Sequence, residues 1–293
     1  MNDRLTWIRN NLKSKDIQGM IVTNPVNIYY LTNIDAEGTL LLTLKENFFI
    51  TDDRYIEKVQ ATLTIDDEII VTNVRDLTEE DYENFFMFCE NVGFEENYVT
   101  YAKYKQIMPR YKIHSLVETE GAIEKQRQIK DLDEIKYIKK ACEITDDCFT
   151  YLLKYIKKGM TEKQISDEIE RFFKASGGVP AFDTIVASGE NSSVPHWVPG
   201  SRQIQSGDLI TIDMGCSYNG YCSDMTRTIF VDNIREDAKR VYDLVLNNQE
   251  IALNEIQDGA SIKIIARIVE GNLNMNGYDL VHALRTWNRY ECS

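Results

Sequence analysis

The sequence predicts an α/β (α+β) protein built in two parts, and three observations carry that expectation. Short apolar runs alternate with helical patterns through the first 125 residues, as in a sheet flanked by helices. Near residue 125 the texture changes to a long amphipathic pattern that reads as a helix opening a second domain. Strand-like segments then cluster from 182 to 231, with helical patterns on either side. A length of 293 residues fits two domains, which we place at 1–125 and 126–284.

Residues 3–14 have helical periodicity, and Gly19-Met20-Ile21-Val22-Thr23 reads as a buried strand. Asn24-Pro25 opens a short turn or helix running through Leu31. Gly38–Leu42 and Asn47–Thr51 fit the two strands of a hairpin, and Asp52-Asp53 is placed to cap a helix through Glu57. A strand fits Asp67–Val71, and a helix fits 79–91. In the second part, Lys130-Asp131 starts a long helix ending at Gly159, with Ile135, Ile138, Ala141 and Cys142 on one face. Thr161-Glu162-Lys163-Gln164 is a capping-box pattern opening a helix that stops at Gly177-Gly178. Strands are expected at 182–188, 208–214 and 220–231, followed by helices near 235–256 and 261–276. Gly159-Met160-Thr161 is echoed by Gly259-Ala260-Ser261, each between a long helix and a shorter one. The echo suggests an internal α/β repeat whose second copy has no strands.

Composition narrows the function classes. The chain carries 33 basic and 47 acidic side chains, a net charge of −14. Neither half offers the basic face that nucleic-acid binding requires. No apolar run is long enough to cross a membrane, and Met1-Asn2-Asp3-Arg4 lacks the apolar core of a signal peptide. The expectation is a cytoplasmic protein without nucleic-acid or membrane partners. The six cysteines form no CxxC pair and read as reduced thiols.

The chemistry-bearing stretch is DLITIDMGCSYNGYCSDMTRTIFV, residues 208–231. Asp213 sits in one apolar strand and Asp224 in its expected partner, with the turn at Tyr218-Asn219-Gly220. Such a hairpin sets the two carboxylates opposite or diagonally adjacent on one face. Buried together they would repel and lose hydration, so they need a shared proton, a basic partner or cations. Divalent metals suit hard carboxylate oxygens. Spacing alone leaves open a reading in which one aspartate faces solvent or pairs with Arg227. His196, in the loop Asn191–His196, could shuttle protons near neutral pH. His114 has no companion group and receives no role.

Taken together, these segments resemble the creatinase/prolidase/aminopeptidase P family of metallopeptidases, whose catalytic domain has the pita-bread fold. The resemblance rests on Phe182–Gly189, Asn191–His196, Gly207–Phe230 and, most specifically, Asp224-Met225-Thr226-Arg227-Thr228. It extends to Asn24–Thr32, Thr51–Tyr55 and Arg127–Asp131. It implies a creatinase/prolidase-like N-terminal domain ahead of the catalytic one, and hydrolysis of the peptide bond before proline. It also implies two divalent metal ions, Mn²⁺ foremost with Co, Zn or Fe as alternatives, activating a water. Asp213 would bind one metal and Asp224 would bridge both, while His196 assists proton movement. Proline-containing peptides would be the substrates, and a homodimer is implied by the resemblance alone. Trp197 stands where the family commonly has a small residue.

The family's metal site needs more ligands: a histidine in a G-H-G-x-G segment and two later glutamates. Here the pattern runs through Gly277–Leu284, where His282 fits the first histidine of H-x-x-G-H, near substrate. Arg285-Thr286 then stands where Gly-His is expected. With synonymous codons chosen to suit, Arg285–Ser293 and a stop, shifted by one base, read G-H-G-I-G-M-N-V-H. The expectation is therefore a truncated pita-bread domain with an out-of-frame tail, 285–293, that binds metal weakly, turns over little or no substrate and tends to aggregate. A non-catalytic peptide-binding or scaffold protein on the same fold is the alternative, disfavoured by the retained Asp213, Asp224 and His196. A creatinase-like amidinohydrolase shares the fold without this metal site, and the two aspartates count against it.

Overall fold

Short strands buried on both faces organise the first of two units, Met1–Lys130 and Asp131–Ser293. The structure is a computed structural model that describes residues 3–43, 46–63 and 68–278. In the first unit, α1 (Asp3–Ser14) leads into β1 (Gly19–Val22), α2 (Pro25–Thr32), the hairpin β2 (Thr39–Leu42) and β3 (Asn47–Thr51), and α3 (Ile56–Thr62). β4 (Ile69–Asn73), α4 (Glu79–Phe85), β5 (Asn91–Phe94), α5 (Tyr101–Tyr111), β6 (Ser115–Glu118) and α6 (Ala122–Arg127) follow.

The sheet order is β4-β3-β2-β1-β5-β6, with β2 antiparallel to both neighbours and the remaining pairs parallel. Met20, Leu40, Leu42 and Phe49 pack on one side with Ile8 of α1 and Ile123 of α6. Ile21, Leu41 and Ile50 pack on the other with Tyr82 of α4 and Ile107 of α5. The period of two along each strand thus makes a sheet covered on both faces, the mixed α/β unit expected.

Three local expectations change. The helix expected over 79–91 is only α4, because the chain turns after Phe85 and Asn91 begins a strand. Asp52 does not cap α3. Its side chain accepts the Arg54 N–H and grips the Arg54 guanidinium instead, and Tyr55 takes the cap position. β5, α5 and β6 lie in a stretch with no sequence assignment, and α5 carries Pro109 inside it.

The second unit contains α7 (Leu132–Tyr155), α8 (Glu162–Ala175), β7 (Val179–Pro180), β8 (Ile185–Ser188), β9 (Leu209–Met214), β10 (Cys216–Tyr218), β11 (Tyr221–Cys222), β12 (Met225–Phe230), α9 (Glu236–Glu255) and α10 (Ile262–Met275). Two small sheets, β11-β10-β7 and β12-β9-β8, share the continuous chain β9–β10. Ile144, Cys148 and Leu152 of α7 and Ile165, Ile169 and Phe173 of α8 pack on Val186, Ile210, Ile212 and Met214.

Both helices open with capping boxes, Asp131–Glu134 and Thr161–Gln164. The buried face of α7 runs through Glu134, Ala141, Thr145 and Cys148, whereas Ile135 and Cys142 are exposed. Glu134 turns inward because its carboxylate receives the Asp131 N–H and the Tyr221 hydroxyl. α7 also ends at Tyr155 rather than at Gly159.

The internal echo is structural. Gly159 and Gly259 both have positive φ (90° and 79°), as do Gly177 and Gly277 (83° and 82°). Thr161 and Ser261 take the N-cap positions, and Gly178 N–H and Tyr278 N–H close on the Phe173 and Leu273 carbonyls at 3.0 Å. α7–α8 and α9–α10 are therefore matched helix pairs a hundred residues apart.

Candidate active site

The site is laid out by one long hairpin. Thr226 faces Asp213, Met225 faces Met214, and the same register continues through Ser217↔Cys222 and Tyr218↔Tyr221. Asn219 and Gly220, with φ of 49° and 79°, form the two-residue turn. Positive φ at both positions matches the right-handed twist of the strands, which is why Asn-Gly suits this place.

Between the ladders the hairpin steps at Gly215. A Cβ there would lie 2.2 Å from the Ser223 carbonyl oxygen and 2.6 Å from the Phe182 ring, so only glycine lets the strands approach. The Ser223 hydroxyl accepts the Cys216 N–H at 3.0 Å and lies 2.7 Å from the Thr145 hydroxyl of α7. The residue immediately before Asp224 is thereby fixed to the scaffold.

Burial alternates along β9, with Ile210, Ile212 and Met214 turned to the core. Asp213 therefore belongs to the face away from α7 and α8, beside Thr211. Thr226 Oγ1 donates to Asp213 Oδ1 at 2.8 Å, and Thr211 and Thr228 oppose each other on the same ladder. Asp224 lies two positions before Thr226, diagonal to Asp213, just ahead of β12 rather than inside it. The register expectation holds in its diagonal form.

The expected burial does not hold. Asp213 is half-buried and Asp224 is exposed, so solvent and the threonine hydroxyls relieve much of the repulsion. Arg227, the alternative partner, donates to the Thr226 carbonyl at 2.8 Å.

His196 is exposed in the segment that follows β8 and a 3-10 turn, Gly189–Ser193. β8 pairs with β9, with Ile185 opposite Asp213 and Ser188 opposite Ile210, so this segment leaves the neighbouring strand three residues along from the aspartate's partner. Sequence reasoning missed what holds it. Glu162, fully buried at the first turn of α8, accepts from Ser188 N and Oγ at 2.8 and 2.7 Å and from Asn191 Nδ2 at 2.9 Å, all on Oε1. Its Oε2 accepts from Trp197 Nε1 at 2.8 Å and Gly200 N at 3.2 Å. Burial pushes this carboxyl up, but the donors from Asn191, Ser188 and Trp197 outweigh it and hold it below the ordinary range.

Arg202 continues the network. It donates to Ser188 Oγ at 2.7 Å and grips Asp208 through both terminal nitrogens at 2.6 and 3.0 Å. The one sequence signal for this network was the density of hydroxyl and amide donors in Ser188–Ser193, which calls for a nearby acceptor.

Asp213 and Asp224 are hard oxygen donors on one face, a set that fits a divalent cation in kind. Among the described residues no group of three or more histidine, cysteine, aspartate and glutamate side chains comes together as a metal site. His282 and the 285–293 segment lie outside the described residues.

Comparison with known proteins finds a family match for each part of the chain. Residues 136–287 match metallopeptidase family M24, and residues 4–129 match the creatinase/prolidase N-terminal domain. The uncharacterized peptidase YqhT of Bacillus subtilis is 33% identical over 278 residues, covering 94% of this chain and 78% of the relative. Among solved structures, an Xaa-Pro dipeptidase from Bacillus anthracis superposes with a TM-score of 0.86 at 31% identity, over 94% of this chain and 78% of that one. The prolidase from Pyrococcus horikoshii gives 0.85 at 28% identity, over 94% and 79%.

Proposed function

The chain belongs to metallopeptidase family M24, and on that footing we propose that it descends from a metal-dependent Xaa-Pro peptidase, of aminopeptidase P or proline dipeptidase type. Such an enzyme hydrolyses the peptide bond before proline in small peptides. The supporting observation is the diagonal of Asp213 and Asp224 on the β9–β12 ladder, with the His196 segment leaving the neighbouring strand.

Asp213 and Asp224 would hold the divalent ions, with Mn²⁺ as the expected metal. Bound there, the ions would polarise the scissile carbonyl and supply a nucleophile at neutral pH. Thr226 orients Asp213 by fixing one carboxylate oxygen, which leaves the other for a cation. His196, on an exposed segment, would pass a proton between solvent and the scissile peptide. Trp197 stands directly beside it and narrows the approach of the peptide.

Two carboxylates by themselves would hold metal weakly, and we propose that Arg285-Thr286, standing where the family has Gly-His, leaves metal binding and turnover impaired. Residues 285–293 are read, in this proposal, from a shifted frame. Nucleotide sequence across codons 280–293 in which removing one base fails to give G-H-G-I-G would refute it. No helix among the described residues is long and apolar enough to cross a membrane, and a cytoplasmic setting is part of the proposal. So is a homodimer, by analogy with the family.

The decisive experiment is hydrolysis of Xaa-Pro dipeptides and Xaa-Pro-Xaa tripeptides with added Mn²⁺, with Asp213→Asn as control. Low turnover that vanishes in the control supports the proposal. Saturable peptide binding with no metal response would instead favour the non-catalytic binding protein.

A further inference from the structure

We propose that Glu162 is the positioning residue of the His196 segment, acting through Trp197 as a two-sided clamp. The carboxylate stands between two limbs of one excursion. Oε1 holds the incoming limb through Ser188 and Asn191, and Oε2 holds the returning limb through Trp197 and Gly200. The backbone reinforces the return, with Lys163 N–H donating to Gly200 O at 3.0 Å and Glu162 N–H to Arg202 O at 3.2 Å. Ser192–His196 is the stretch left between the two anchor points. Fixing the indole of Trp197 fixes the peptide that bears His196.

The repeat separates this role from that of a helix-starting residue. At the matched position α10 has Ile262, which is 77% exposed, and that helix forms without a buried carboxylate. An acidic side chain in the first turn is thus not what the hairpin needs. In the first copy a loop returns to this point and the residue is an acid, whereas among the described residues no loop meets Ile262.

Acceptor chemistry gives the proposal a sharp edge. The site directs donors at both carboxylate oxygens. Glutamine has the same shape but one acceptor oxygen, so its NH₂ must face one of the two donor sets. A group that merely fills space would be replaced by glutamine without consequence. A clamp would not, because one limb would meet a donor where it needs an acceptor.

The functional consequence rests on His196 being the proton-moving group of the proposed peptidase, but the test does not need metal or turnover. In the full chain carrying Trp7→Phe and Trp287→Phe, Trp197 is the only indole. Emission maximum and acrylamide quenching are measured for this parent, Glu162→Gln and Glu162→Ala, with far-UV circular dichroism as the fold control. The imidazole NMR lines of His196 and His114 are compared in the same samples. We expect Glu162→Ala to be red-shifted and more quenched, and Glu162→Gln either to follow it or, with its oxygen kept on Trp197, to lose the Ser188–Asn191 limb. The His196 line should move and the His114 line should stay, with unchanged dichroism. Parent-like emission together with an unmoved His196 line in Glu162→Gln would overturn the clamp in favour of a space-filling role. Loss of dichroism in both variants would overturn it in favour of a determinant of the whole fold. A positive clamp result without Xaa-Pro hydrolysis would sink the functional reading and leave the clamp standing.

Discussion

Thr226 donates its hydroxyl to Asp213 Oδ1 from the position directly opposite on the neighbouring strand, at 2.8 Å. The bond fixes the carboxylate's rotation about its own axis on a solvent-facing sheet surface. On the proposed reading the second oxygen would take the cation. Because Thr226 is exposed, its replacement should perturb the orientation of Asp213 more than the stability of the sheet.

Thr226→Val should therefore weaken Mn²⁺ binding by about 10- to 100-fold, the usual cost of losing an outer partner of a ligand. Thr226→Ser should restore it. Titration calorimetry, with Asp213→Asn as the zero-binding reference, reads the difference. Equal affinities in Thr226→Val and the parent would exclude this role.

Gly215→Ala should destabilise the second unit by several kcal/mol, about 1–3 for overpacking and more if the ladder separates. The added methyl meets a backbone carbonyl at 2.2 Å, which cannot rotate away. Urea unfolding measures the loss. Since the step precedes Asp224, Mn²⁺ binding should fall with it.

The Arg202–Asp208 pair gives a pH signature. Burial raises the Asp208 carboxyl, but the Arg202 guanidinium and the Gln205 N–H outweigh it and hold it below the ordinary range. A carboxyl depressed in the folded state contributes its stability in full above the unfolded value of about 3.9. That contribution is lost as pH falls through the folded value. Asp208→Asn should cost about 3 kcal/mol at pH 7, because a mostly buried guanidinium loses its bidentate carboxylate and is left with the longer Glu190 pair at 3.9 Å. Its stability should also vary less than the parent's between pH 5 and pH 2, on the scale of the ordinary carboxylate range. Parallel pH–stability curves would contradict the assignment.

The thiols should divide by burial. Burial pushes Cys148 up to about 12 and Cys216 up to about 11, so little thiolate forms at neutral pH. Mass mapping after brief treatment with a thiol reagent at pH 8, a mildly alkaline condition near the free-thiol range, should find Cys142 modified. Cys148 and Cys216 should react only after denaturant is added.

What was legible in the sequence had local causes. The Asn219-Gly220 turn, the helix start at Asp131, the capping box at Thr161 and the helix end at Gly177 all depend on neighbours within a few residues. Asp213 and Asp224 were found because one turn fixes their register. β5 was hidden because Asn91–Phe94 is short, carries Gly93 and follows closely on the apolar Phe85–Cys89, and Pro109 masked the helix in which it lies. The parallel pairing of β1 with β5 and of β5 with β6 joins segments with no local signal for each other. The inward turn of Glu134 depends on Tyr221, far along the chain. Glu162 escaped notice for the same reason, since its donors lie 26 to 38 residues away.

The matched helix pairs also speak to ancestry. After a duplication, two copies of a hairpin begin with the same obligations and then diverge according to what each touches. Glu162 in one copy and Ile262 in the other fit such a divergence, with the acid where a loop docks and an aliphatic residue where none does among the described residues. The sister hairpin conserves the frame while the first is answerable to its cargo. A lineage could thus remodel the loop by changing one copy, with the shared architecture buffered by the other.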